Sequence, residues 1–181
     1  MFRRFVIPSS SSVSSRWKYR SSSWTSTELA FVGIDVFDEL LYFQRLVTLL
    51  DDGISHRLNI DGALKTRRSP AEYAALYEIY RGRQLDVLAR MQRIDVPQKL
   101  TSIQRRMVLA TEGQIRFYRI FLDAKLKDPS TDLARMLGDP ALQTTNRELH
   151  AAWEEVRRLY PRLDFDTSTA IEAHLCGFDV I

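Results

Sequence analysis

The chain holds one cysteine, Cys176, and only three histidines, His56, His150 and His174, in 181 residues. A lone cysteine cannot staple the chain, and histidines so few and scattered do not make a standard zinc site. Apolar runs such as Val6-Ile7 and Leu40-Leu41 fall far short of the roughly 18 residues of a membrane span. The seven glycines are never grouped, so no backbone phosphate cradle is written here, and no Ser-His-Asp order or dinucleotide fingerprint appears. Glu148 with His150, and Glu172 with His174, are spaced by two, which on a helix turns the pair about 200° apart and away from any shared metal. No catalytic, metal-ligating or cofactor-binding residue is assigned, and Cys176 is expected to be a buried, inert thiol.

Acidic residues are missing from one end. Residues 1–27 carry Arg3, Arg4, Arg16, Lys18 and Arg20, ten serines and no Asp or Glu. The remaining chain has 21 basic against 23 acidic residues, a net charge of −2, so the pI near 9.1 belongs to the tail. A nucleic-acid-binding body would itself be basic. The Ser/Arg-rich segment 1–24, with Trp17, Tyr19 and Trp24 interleaved, cannot bury enough apolar surface to order itself and reads as a flexible tail. Its apolar stretch Phe5-Val6-Ile7 is too short for a secretory signal. The composition fits a mitochondrial transit peptide; the other open reading is a retained extension in a cytoplasmic protein, with Arg16, Lys18 and Arg20 meeting anions and Trp17 and Trp24 filling a partner's pockets.

What the rest contains is helical periodicity. Thr25-Ser26-Thr27-Glu28 has the form of a capping box, followed by Leu29, Gly33, Val36, Leu40, Phe43, Val47 and Leu50 on one stripe, widened by Phe37 and Leu41 and ending at Asp51-Asp52-Gly53. Asp35, Asp38 and Glu39 lie mainly off that stripe and are expected in solvent. Residues 51–68, punctuated by Gly53 and Gly62, read as a connection. Ser69-Pro70-Ala71-Glu72 opens a second helix with Tyr73, Leu76, Tyr77, Tyr80, Val87, Leu88 and Met91 inward, stopped by Pro97. A third spans about 98–127, its seam being Leu100, Ile103, Met107, Ala110, Gln114, Phe117, Phe121 and Ala124, with Glu112–Arg116 and Arg119–Asp123 as outer ion pairs. After a short turn at 131–137, a fourth runs from about 140 to 160, and Thr169-Ala170-Ile171-Glu172 has the form of a box opening a last short helix. The expected fold is all-α: one domain over 25–181, a bundle of four long amphipathic helices plus two short ones, behind the basic tail.

Within the third helix, Gln114 to Leu122 (Gln-Ile-Arg-Phe-Tyr-Arg-Ile-Phe-Leu) resembles the leucine-tyrosine-arginine signature of small mitochondrial LYR-motif accessory proteins. The resemblance covers nine residues, Phe117 stands at the leucine position, and the motif lies deep in the chain. It implies a helical adaptor docking acyl carrier protein and respiratory or iron–sulfur assembly partners, which agrees with a transit-like tail.

Tyr77 and Tyr80, with Arg81, Arg83 and Arg90 beside them, are residue types that anchor interfaces and form the candidate partner surface of the body, core packing being the plainer role for the tyrosines. The expected function is that of a non-enzymatic assembly, adaptor or accessory subunit with a protein partner. Two alternatives stay open: nucleic-acid association through the tail and the cluster Arg81, Arg83, Arg90, Arg93, Lys99, Arg105 and Arg106, or a bundle enclosing a small-molecule pocket.

Overall fold

The computed structural model describes residues 37–178 except Arg67 and Asp164, with backbone alone for Phe37, Asp166, Thr167 and Cys176. The tail, the box at Thr25 and the stripe from Leu29 to Val36 lie outside the described residues. Five α-helices follow one another, and no strand occurs among the described residues: α1 (Phe37–Leu64), α2 (Pro70–Gln92), α3 (Thr101–Lys127), α4 (Pro140–Leu159) and α5 (Phe165–Phe178), with single 3-10 turns at Gln98–Leu100 and Ala134–Met136. The all-α bundle is thus observed, with four long helices and a shorter fifth.

The helix starts have local causes. Ser69 Oγ accepts from the Glu72 amide while the Glu72 carboxylate accepts from the Ser69 N–H and hydroxyl, and Pro70 occupies the first helical position. Such a cap contributes about 0.5–2 kcal/mol. Asp139 caps α4 through the Ala141 amide, again before a proline. Three boundaries differ from the sequence expectation. Residues 51–64 are helix, not connection, because Ile60 and Leu64 continue the buried face and Arg57 and Asp61 form an ion pair along it. Thr169 lies inside α5, which begins four residues earlier at Phe165, no proline intervening after Pro161. α2 ends at Gln92, five residues before Pro97, where the Arg93 N–H returns to Arg90 and Met91 carbonyls.

Cross-helix pairs fix the topology. Gln84 and Arg90 of α2 reach Gly53 and Asp52 of α1, and Tyr77 reaches Ile115 of α3, so α2 runs antiparallel to both. Ser102 and Arg106 meet Glu155 and Glu148 of α4, which descends beside α3. Tyr42 to Gln104 and Tyr118 to Asp61 show that α1 and α3 lie parallel across the middle. α5 packs on α1 and α4. The α3–α4 contact is close because small residues meet: a Cβ on Gly113 would collide with Thr145 Oγ1, and Ala110 and Ala141 flank the spot.

The interior falls into two apolar clusters. One gathers Tyr42, Phe43, Met91, Met107, Trp153 and Phe178; the other gathers Ile60, Tyr73, Tyr77, Phe117, Phe121 and Leu142. The α3 seam threads both, with Leu100, Ile103, Met107 and Ala110 in the first and Phe117 and Phe121 in the second. Buried Gln114 lies between those two runs of the seam. Ile171, Leu175 and Phe178 put α5 into the first cluster, the Phe178 ring filling the notch that Gly53 leaves.

The glycines therefore separate by role. At Gly53 and Gly113 a methyl group would strike Phe178 and Thr145, whereas at exposed Gly82, midway along α2, it would meet nothing within 4 Å. We expect Gly53→Ala and Gly113→Ala to destabilise by about 1–3 kcal/mol each, and Gly82→Ala to stabilise by about 0.5–1 kcal/mol. Urea unfolding of the three variants against the parent checks the signs.

Candidate functional site

α2 sorts its interface-type residues onto opposite faces. Tyr77 and Tyr80 are buried, 5% and 2% exposed, with the Tyr77 hydroxyl donating to Ile115 O at 3.4 Å and the Tyr80 ring 4.7 Å from that of Tyr118. The tyrosines thus lie in the core, while Arg81, Arg83 and Arg90 stay outside. Beside the arginines, Ile79 is 55% exposed and Leu85 40%. Both are off the buried seam, and their apolar character at non-seam positions was the available sequence signal for them. Arg16, Trp17, Lys18, Arg20 and Trp24 lie outside the described residues.

The cations between 81 and 106 are largely matched by the protein's own carboxylates. Arg81 pairs with Glu78 at 3.2 Å, Arg90 with Asp52 at 2.9 Å and Asp86 at 3.4 Å, Lys99 with Glu39 at 3.4 Å, and Arg106 with Glu148 at 2.9 Å and Glu155 at 3.4 Å. Arg83, Arg93 and Arg105 are exposed. Arg83 lies near enough to His56 to act with burial, the larger cause, in pushing that imidazole's pKa down.

Two polar clusters are built into the interior. At one end Glu39, expected in solvent, is buried, because the Tyr160 hydroxyl donates to it and Lys99 reaches over the Tyr160 ring to the same carboxylate. Burial, then the bond to Glu39, drives the Tyr160 hydroxyl far above its ordinary range. Nearby, the Tyr42 hydroxyl donates to Gln104, whose amide donates to Met91 O.

The second cluster joins four helices. Arg57 donates to Asp61 at 3.1 Å and to Gly177 O at 3.0 Å, and the Tyr118 hydroxyl donates to Asp61 at 2.6 Å. Gln84 donates to Gly53 O and Gln114 to Phe178 O. Burial raises the Asp61 carboxyl, against the opposing pull of Tyr118 and Arg57, and burial likewise pushes Tyr80 and Tyr118 upward. Reading 51–68 as a connection concealed this cluster, since Arg57 and Asp61 share a face only if the chain there is helical. Gln84, Gln114 and Tyr118 are buried, Arg57 and Asp61 partly so, and all are engaged in linking helices, an arrangement that orders the bundle.

Phe117 and Tyr118 of the LYR-like stretch are fully buried; Arg119 is exposed, paired with Asp123 at 3.7 Å and 5.9 Å from the Tyr77 ring. Among the described residues no three histidine, cysteine or carboxylate side chains assemble as a metal site, and no helix is long and apolar enough to cross a membrane. No known family's sequence pattern matches the chain, and no curated protein or solved structure matches it.

His174 is 2% exposed on α5, with Nδ1 2.7 Å from Ala170 O and Nε2 3.1 Å from Asp51 of α1. Burial works against its protonation, but the bond to Asp51 and the Ala170 carbonyl outweigh it, so the pKa rises above 6.5. The protonated form then adds stability that is complete below the unfolded value of 6.5 and is lost as pH climbs through the folded value. His56, with its lowered pKa, imposes the reverse: a penalty in acid that vanishes as pH rises toward 6.5. The two partly cancel in the parent, so the difference between parent and Asp51→Asn is the diagnostic quantity. Denaturant titrations at a series of pH values should show that difference reaching its full size below pH 6.5 and shrinking as the solution becomes alkaline.

Proposed function

We propose that this protein is a non-enzymatic helical adaptor or accessory subunit that binds a protein partner through the outer face of α2, with the basic tail as a targeting or docking segment. The observation that carries the reading is Ile79 and Leu85 standing exposed beside Arg81 and Arg83 on a helix whose inner face is full. Apolar anchors rimmed by arginine are what a protein interface uses. The ion pairs weigh against nucleic acid, because a cation already neutralised by a neighbouring carboxylate displaces few counterions from a phosphate backbone. The tail, with five cations and no acid, adds a salt-sensitive attraction for an acidic partner surface.

Native mass spectrometry of the complex purified at low salt from its own source tests the reading. We expect a stoichiometric protein partner, retained after nuclease treatment and lost from the Ile79→Asp/Arg83→Glu double variant. Both sites are on the surface, so that variant should keep its stability to within about 0.5 kcal/mol per substitution. A parent that carries nucleic acid and no protein would overturn the proposal. Removal of residues 1–24 should leave the melting curve of the body nearly unchanged while partner binding weakens; unfolding on truncation would instead make Trp17 and Trp24 core residues.

A further inference from the structure

Where α1 and α3 end and α2 begins, the chain encloses an open cleft of about 440 Å³, within the size range of small-ligand sites. Leu64, Pro129 and the ring of Tyr73 give it apolar walls, Tyr73 having turned its hydroxyl to Thr66 O at 3.1 Å. Lys65, Lys125, Asp128 and Ser130 supply the polar lining. Lys65 is exposed at the cleft, whereas Lys125 is only 9% exposed.

Lys125 is the informative residue. An ammonium carries three N–H donors, and among the described residues its polar contact is Pro129 O at a long 3.5 Å, with the Phe121 ring 5.8 Å away. Asp128 does not neutralise it. One Asp128 oxygen accepts from the Ser130 amide at 2.9 Å and hydroxyl at 2.6 Å, and the other accepts from Arg135 at 3.1 Å. Ser130, foremost, and Arg135 hold that carboxyl below its usual range. The negative end of α3 does not require a buried lysine either, since exposed Lys127 serves it from the same last turn. With the Asp128 charge matched by Arg135, the two lysines remain as the cations lining an apolar-walled cleft, Lys65 also acting on Asp61.

We infer that this cleft binds a small organic acid, its carboxylate between Lys125 and Lys65 and a short apolar tail against Leu64, Tyr73 and Pro129. Isotope-labelled full-length protein is titrated with sodium butyrate, sodium phosphate and sodium chloride at matched ionic strength, following backbone amide shifts. Butyrate should produce saturable shifts centred on Lys65, Lys125 and Ser130 at lower concentration than phosphate, and chloride none that saturate. Lys125→Met should raise the butyrate midpoint at least tenfold and Lys65→Met at least threefold, with exposed Lys127→Met unchanged. Should Lys125→Met fail to fold, Lys65→Met decides alone. Butyrate behaving like chloride, phosphate saturating as readily as butyrate, or midpoints indifferent to the lysine substitutions would each overturn the assignment.

Discussion

α5 ends inside the protein, and the terminal carbonyls of a helix have no partners within it. Buried without donors, each would cost on the order of 1–3 kcal/mol. The bundle supplies those donors from elsewhere: Arg57 of α1 to Gly177 O, and Gln114 of α3 to Phe178 O. A guanidinium there also complements the negative end of the helix. Bringing Arg57 to that point requires α1 to continue past Gly53, and the glycine is what admits the Phe178 ring. A partly buried arginine is favoured by a nearby counter-charge, which is Asp61; the carboxylate in turn takes the Tyr118 hydroxyl. The polar groups linking α1 and α3 to α5 therefore answer a single helix end, while Gln84 of α2 ties in separately through the Gly53 carbonyl.

That solution consumes the interior and leaves recognition to the surface. Tyrosines of α2 that have the chemistry of interface anchors are spent on packing, and most cations between 81 and 106 are held by neighbouring acids. Exposed pairs of this kind contribute little to stability, but they flatten the surface potential. Against that background the exposed apolar residues of α2 and the lysines at the far cleft are among the places where the surface is chemically uneven, as are Phe165 and Leu58.

The long helices were legible from periodicity and from caps whose chemistry is local. The Ser69–Glu72 box and the seam from Leu100 to Phe121 depend on residues near one another in sequence, and both stand where the spacing puts them. Gly53 was illegible because a glycine that breaks a helix and one that admits a distant ring look alike in one dimension; only Phe178, far along the chain, shows which it is. The Thr169–Glu172 pattern fits a helix interior as well as a start, and α5 had already begun at Phe165. Burial of Glu39 likewise depended on Tyr160, separated from it by 121 positions. Of the candidate partner residues, the arginines were recognisable by type, whereas the division of α2 into a tyrosine face and an arginine face needed the neighbouring helices in place.

The docking of α5 also imposes a schedule. Arg57 and Gly177 are 120 residues apart, and at about 5–20 residues per second their separation takes roughly 6–24 s to synthesise. α4 ends at Leu159, 18 residues before Gly177, so for roughly 1–4 s of that interval all four long helices exist around an arginine whose carbonyl partner is not yet made and a glycine notch with no ring in it. Docking of α5 is therefore the last step to be made available by synthesis, and it is the step that gives Arg57 and Gln114 their carbonyl acceptors and fills the notch at Gly53.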